Sequence, residues 1–138
     1  MTKSHLVVLK KSYLEAILAG RKTIESRFTK NRCQPFGQVA QGDKLFLKIS
    51  SGPVCATAAV SNVRSFDDIT AEKLNSIRKQ YNFHICGSDT YWQSKADCRY
   101  GLLLWLTDVK TIKPVRINKK DWRGWVVLSE KENFGLDR

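Results

Sequence analysis

Short apolar runs separated by turn signals dominate the chain, and they predict strands more often than helices. His5 to Leu9 reads as a short buried strand. Leu14, Ile17 and Leu18 then recur at helical spacing behind Ser12-Tyr13-Leu14-Glu15, a capping-box pattern in which Glu15 reaches back to the cap. Gly20 ends that helix after about two turns, because a helix C-terminus favours a residue that accepts positive φ. So short a helix has to be held by packing onto the strands around it. Thr23 to Phe28 alternates as a half-buried strand does, with Thr23, Glu25 and Arg27 on one face and Ile24 and Phe28 on the other.

Thr29 to Gly42, with Lys30, Arg32, Pro35 and Gly37, reads as an exposed basic loop. Gln41-Gly42-Asp43 turns into a strand over Lys44–Ile49, Ser50-Ser51-Gly52-Pro53 turns again, and Val54 to Val63 is a long β-prone segment rich in small residues. Thr70 caps a helix carrying Leu74, Ile77 and Tyr81, and Ser88 to Ala96 is a second, shorter helical piece. Tyr100 to Val109 is the most hydrophobic strand and the expected centre of the sheet. Thr111 to Ile117, with Pro114, suits an edge or a bulge. After the charged turn Lys119-Lys120-Asp121, Trp122 to Leu128 forms a last strand, and residues 128–138 read as a flexible tail. A parallel sheet needs a helix after nearly every strand, and helices interrupt here at only two places. The expectation is an α+β fold: one domain over residues 1–138, a small mixed β-barrel of about six strands with helical insertions.

Charge adds a partner class to that picture. The formal net charge is +11, and residues 1–50 hold ten Lys/Arg against three Asp/Glu, a net +7. A basic domain attracts polyanions, and neutralisation of phosphates is the main sequence-independent term in nucleic-acid binding, so a nucleic-acid or nucleotide partner is expected. No helix is basic on one side and bulky-apolar on the other, which argues against an anionic membrane. Cys33, Cys55, Cys86 and Cys98 lack the C-x-x-C spacing and have no histidine placed beside a pair of them, so no zinc site is expected and no cofactor is called for. The apolar runs Leu6–Leu9 and Leu102–Leu106 are too short for a signal core or a membrane span, which points to the reducing cytoplasm with free thiols.

The segment Ile17-Leu18-Ala19-Gly20-Arg21-Lys22-Thr23-Ile24-Glu25-Ser26-Arg27 resembles the G-x-K-x-x-E-x-R signature of the ASCH family, part of the PUA-like superfamily of small RNA-associated barrels. The turn Gly42-Asp43-Lys44-Leu45 is similar to that family's Gly-Asp hairpin, and the small-residue strand Ala56–Val60 follows in the expected order, so the resemblance covers residues 5–112. It implies a barrel with a cleft between the first helix and the sheet, suited to RNA or a nucleobase. Gly20, Lys22, Glu25 and Arg27 are the signature residues that it places there. Some members are hydrolases, and one subgroup removes acyl groups from acetylated cytidine with a Lys, a Thr nucleophile and a Glu. Lys22 matches that lysine, whereas Glu25 stands where the threonine would be and Glu72–Arg78 offers no clear counterpart of the glutamate.

The candidate ligand contacts are therefore Lys22, Glu25 and Arg27, with Arg21 beside them, and Lys22 is also the candidate catalytic residue. The ammonium of Lys22 suits a phosphate or a base carbonyl, and a catalytic role would need its pKa depressed by burial or by Arg21. Glu25 suits the exocyclic amine of a base, and Arg27 suits a phosphate or Glu25 itself, the latter being a purely structural pairing. Ser50 either lines the cleft or caps its turn. Single-stranded RNA is held by stacking on aromatic faces, and Trp92, flanked by polar residues, and Trp122 are the candidate platforms. Trp105 is expected in the core, and Trp125 either flanks a base or plugs the barrel. The leading reading is an RNA- or nucleotide-binding domain, single strands preferred. The alternatives are a hydrolase of a modified nucleoside or of RNA that uses Lys22, and a protein-interaction module.

Overall fold

The computed structural model describes residues 2–138, over which six strands and three helices follow one another. They are β1 (Ser4–Leu9), α1 (Lys11–Leu18), β2 (Ile24–Thr29), β3 (Lys44–Ile49), β4 (Val54–Phe66), α2 (Ala71–Ile85), α3 (Asp89–Ser94), β5 (Tyr100–Val115) and β6 (Trp125–Val127). The strands form one sheet in the order β2-β5-β4-β3-β1-β6, with β1 and β3 parallel and the other neighbouring pairs antiparallel. The fold is the expected α+β small barrel, left open between β2 and the β1–β6 end.

Alternate residues of the strands build different cores. Val7, Leu9, Leu45, Leu47, Ala56, Ala58, Leu102 and Leu104 point inward, where Leu14 and Ile17 of α1 and Trp125 of β6 join them. On the outer side of β2 and β5, Ile24, Phe28 and Leu103 pack under Leu74, Ile77 and Ile85 of α2 and Trp92 of α3. The run Leu102–Leu104 is so continuously apolar because β5 is covered on both faces.

Several elements differ from the sequence pattern. The capping box does not form: Lys10 occupies the N-cap, no side chain caps α1, and the Lys10 carbonyl accepts from the Tyr13 and Leu14 amides at 3.1 Å, which puts Ser12 inside the first turn. The two strands expected at Tyr100–Val109 and Thr111–Ile117 are one long strand, β5, which bends where Asp108 takes a left-handed φ of 50° and the register with β4 slips. The last strand is only Trp125–Val127. The segment expected as a flexible tail packs instead. Leu128 and Leu136 are buried over Leu6, Phe46 and Val126, with Phe134 against them, because the outer face of β1, β3 and β6 would otherwise expose those residues. The helix over residues 71–85 is capped by the Thr70 side chain, as expected. No helix among the described residues is long and apolar enough to cross a membrane, and the four cysteines are free.

Candidate functional site

The corner after α1 carries the charge into the fold. Gly20 turns at φ +80°, and the Arg21 and Lys22 amides both donate to the Ala16 carbonyl at 3.0 and 3.1 Å, which swings Lys22 inward. Its side chain is 2% exposed, and Nζ donates to the carbonyls of Ile85 at 2.6 Å and Ile24 at 3.0 Å and faces Glu25 Oε1 at 3.4 Å. Two carbonyls thus accept hydrogen bonds from the ammonium, and the Glu25 carboxylate pairs with its charge. Ile85 is the last residue of α2, so the cation also sits at the negative end of that helix and binds a carbonyl with no partner inside the helix.

Alternation along β2 turns Glu25 and Arg27 inward, beside Leu104 and Leu102 of β5. Arg27 forks onto Glu25 Oε2, from Nε at 3.1 Å and Nη2 at 2.8 Å. The same guanidinium donates to the Val8 carbonyl at 3.0 Å and to the Gly124 carbonyl at 3.4 Å. It lies 5.3 Å from the centre of the Trp125 ring. Since β2 is one end of the sheet and β6 the other, Arg27 bridges the open side of the barrel. Burial pushes the Glu25 carboxyl upward, but the adjacent Arg27 and Lys22 outweigh it and hold the group below the usual carboxylate range. The floor is a buried carboxylate between two cations, worth keeping only because every member is paired.

A second network holds the Trp125 side of the seam. Trp125 Nε1 donates to His5 Nδ1 at 3.0 Å, so the His5 proton sits on Nε2, which donates to Asp43 Oδ2 at 2.8 Å. Asp43 also accepts from the Lys3 and Ala40 amides at 2.9 and 3.0 Å. Burial lowers the His5 pKa further than Asp43 raises it. Sequence patterns do not single out this pair; its signal is a histidine inside an apolar strand and the aspartate of the Gly42-Asp43 turn. Two tyrosines escape them as well. The Tyr13 ring lies 5.1 Å from Lys22 Nζ, and the Tyr91 hydroxyl meets Ser26 Oγ at 2.7 Å. Burial pushes both phenols upward, with Glu25 adding to it.

These groups enclose a cavity of about 530 Å³ between α1, β2, α3 and the start of β6. Lys22, Glu25 and Arg27 form its floor, Tyr13, Tyr91 and Trp125 stand along it, and Lys10 and Lys95 add charge, so four cations face it against one carboxylate. Arg21 is exposed and lies outside the lining. Ser50 also lies outside it, in the β3–β4 turn, with its amide on the Leu9 carbonyl at 2.7 Å. Trp92 is not a stacking platform: it is 3% exposed, its ring packs 5.7 Å from Phe28, and Nε1 donates to Asn82 Oδ1 at 2.9 Å. Its polar sequence neighbours are the outer face of α3, whose inner face it supplies. Trp122 is fully exposed, but beyond the cavity lining. Trp105 packs at the edge of the outer core against Tyr81. Among the described residues no group of three or more His, Cys, Asp or Glu is placed to hold a metal ion.

No family model and no curated protein matches the chain. Solved structures do. The crystal structure of ASCH from Zymomonas mobilis superposes with a TM-score of 0.74 at 18% identity, covering 94% of this chain and 90% of that chain. Two single-substitution mutants of that protein give 0.73 at 18% identity, covering 94% of this chain and 91% and 93% of theirs. At that identity the likeness is one of architecture: the chain has the fold of that ASCH protein, the small α+β barrel expected from its sequence.

Proposed function

We propose that this is a cytoplasmic RNA-binding domain of the ASCH type, and that its cavity takes one nucleotide of a single strand, base inward and phosphate toward Lys10 and Lys95. The observation that carries this reading is Glu25, an ionised carboxylate on the floor of an otherwise cationic, aromatic-lined cavity. Arg27 forks onto Oε2, whereas Oε1 takes the Ser26 amide at 3.2 Å and faces Lys22 at 3.4 Å, so a base N–H approaches Oε1, and the surrounding cations suit the phosphate. The volume lies within the roughly 300–1,000 Å³ of small-molecule sites. Lys22 and Arg27 serve the site by keeping Glu25 charged and in place. The hydrolase alternative asks Lys22 to act as a base; its Nζ is already held by two carbonyls and paired with Glu25, which favours the binding reading.

Calorimetric titration with nucleoside monophosphates at low salt tests this. Glu25→Gln is expected to weaken binding by about ten-fold or more, the worth of a hydrogen bond to a charged group. A Lys10→Ala, Lys95→Ala double variant is expected to weaken monophosphates but not nucleosides, and it leaves the buried floor intact. Monophosphate affinity unchanged in both variants would exclude the cavity as the site. Turnover of acylated nucleosides or RNA that disappears in Lys22→Ala would restore the enzyme reading.

A further inference from the structure

Outside the cavity, the loop that leads into β6 carries the most exposed large hydrophobic side chain among the described residues. Trp122 has 101% relative exposure, a whole indole left in water. Its loop is not slack. Asp121 accepts from Lys119 Nζ at 2.8 Å, from Arg123 Nη2 at 2.8 Å and from the Arg123 amide at 3.0 Å, and Arg123 reaches on to Glu132. These contacts brace the backbone on both sides of Trp122, so the loop that presents the indole is already ordered when a base stacks on it.

Its surroundings are cationic. The side chain of Lys119 is only 5% exposed, and it approaches Lys48 of β3 together with Arg116. Burial, and after it these two like charges, depress the Lys48 ammonium, which donates to the Ile49 carbonyl. Lys48, Arg116, Lys119, Lys120 and Arg123 face two carboxylates, Asp121 and Glu132, a net +3 in which both carboxylates are already engaged. Among the described residues Lys48, Arg116 and Lys120 have no acidic partner within 4.0 Å. Three cations without an acidic partner favour a polyanion, and an exposed aromatic near them favours one that carries flat bases.

The patch also adjoins the cavity. Gly124, two residues beyond Trp122, lines it and holds Arg27 through its carbonyl, so Cα of Trp122 lies within about 7 Å of the rim. We propose that the loop 116–123 is a second RNA contact, with Trp122 stacking a base of the strand that leaves the cavity and Lys48, Arg116 and Lys120 meeting its phosphates. This rests on the reading that a nucleotide occupies the cavity.

The test compares uridine monophosphate with a single-stranded RNA octamer, by fluorescence titration, in the wild type, Trp122→Ala, Glu25→Gln and an Arg116→Ala, Lys120→Ala double variant. Trp122→Ala is expected to weaken the octamer by about five-fold to 150-fold, the range for base–aromatic stacking, while the monophosphate keeps its affinity. The double variant is expected to lower the slope of log affinity against log salt by about 1.4, for two phosphates on a single strand. An octamer affinity unchanged in Trp122→Ala overturns the loop contact and leaves the cavity reading standing. Octamer binding that depends on Trp122 but not on Glu25, without monophosphate binding, supports the loop and overturns the cavity. Equal, Trp122-dependent binding of anionic lipid vesicles assigns the patch to a membrane and overturns the proposal.

Discussion

Replacing Lys22 with methionine tests whether this cation is a buried post or a solvated turn lysine. Methionine keeps most of the stem, so the loss is confined to the ammonium. The substitution removes donors at 2.6 and 3.0 Å from the Ile85 and Ile24 carbonyls and a cation 3.4 Å from Glu25. Removing one partner from a buried ion pair costs about 3–5 kcal/mol. Arg27 remains forked on Glu25 Oε2, which keeps the carboxylate compensated and places the expected cost near the lower end, about 3 kcal/mol. For a chain of this length that is a fall in Tm of roughly 10 °C. Urea unfolding followed by tryptophan fluorescence at pH 7 reads it as a lower midpoint with an unchanged slope. Arg21→Met is the internal control: Arg21 is exposed, so the expected change stays within about 0.5 kcal/mol. A cycle with Glu25→Gln should return a coupling of about 1–3 kcal/mol between positions 22 and 25. If Lys22→Met unfolds at the same urea concentration as Arg21→Met, the ammonium is not a buried, fully engaged group and the reasoning fails.

Acid should weaken the fold first through His5. Its folded pKa lies below the ordinary 6.5, so the unfolded chain takes up the proton more readily; stability is complete above that value and declines as pH falls from 6.5 toward the lowered one. Below the ordinary 4.5 of Glu25 and 3.8 of Asp43, whose folded values are also lowered, further stability is lost as pH falls. Urea midpoints at pH 7.5 and pH 5 should differ in the wild type and converge in His5→Gln, and a wild type with equal midpoints would contradict the His5–Trp125 hydrogen bond. Leu136→Ala should cost about 2 kcal/mol by thermal unfolding, at the low end for a core leucine because the site is near the chain end; no measurable change would return residues 128–138 to a flexible tail.

The elements with strong local signals are legible in the amino-acid sequence. Gly20 as a helix stop, the alternation of Glu25 and Arg27 against Ile24 and Phe28, the strand Lys44–Ile49 and the Thr70 cap each depend on residues a few positions apart. So does the gathering of Lys22, Glu25 and Arg27, which belong to one corner and one strand. Trp92 misleads for the opposite reason. Polar neighbours do not tell which side of the short helix α3 faces inward, so its sequence context suggests an exposed ring although α2 and Phe28 cover it.

The chain's periodicity and turn residues determined where most strands and helices lie, though not all their ends, and its charge pattern determined that a cationic corner exists. These follow from interactions between near neighbours. Which acceptors Lys22 engages, that Arg27 ties β2 to Val8 and Gly124, and that His5 joins Asp43 to Trp125 were decided by how the sheet curls. Those partners stand up to 120 residues apart in sequence, as His5 and Trp125 do, and no local preference of either residue encodes the distance between them in the fold.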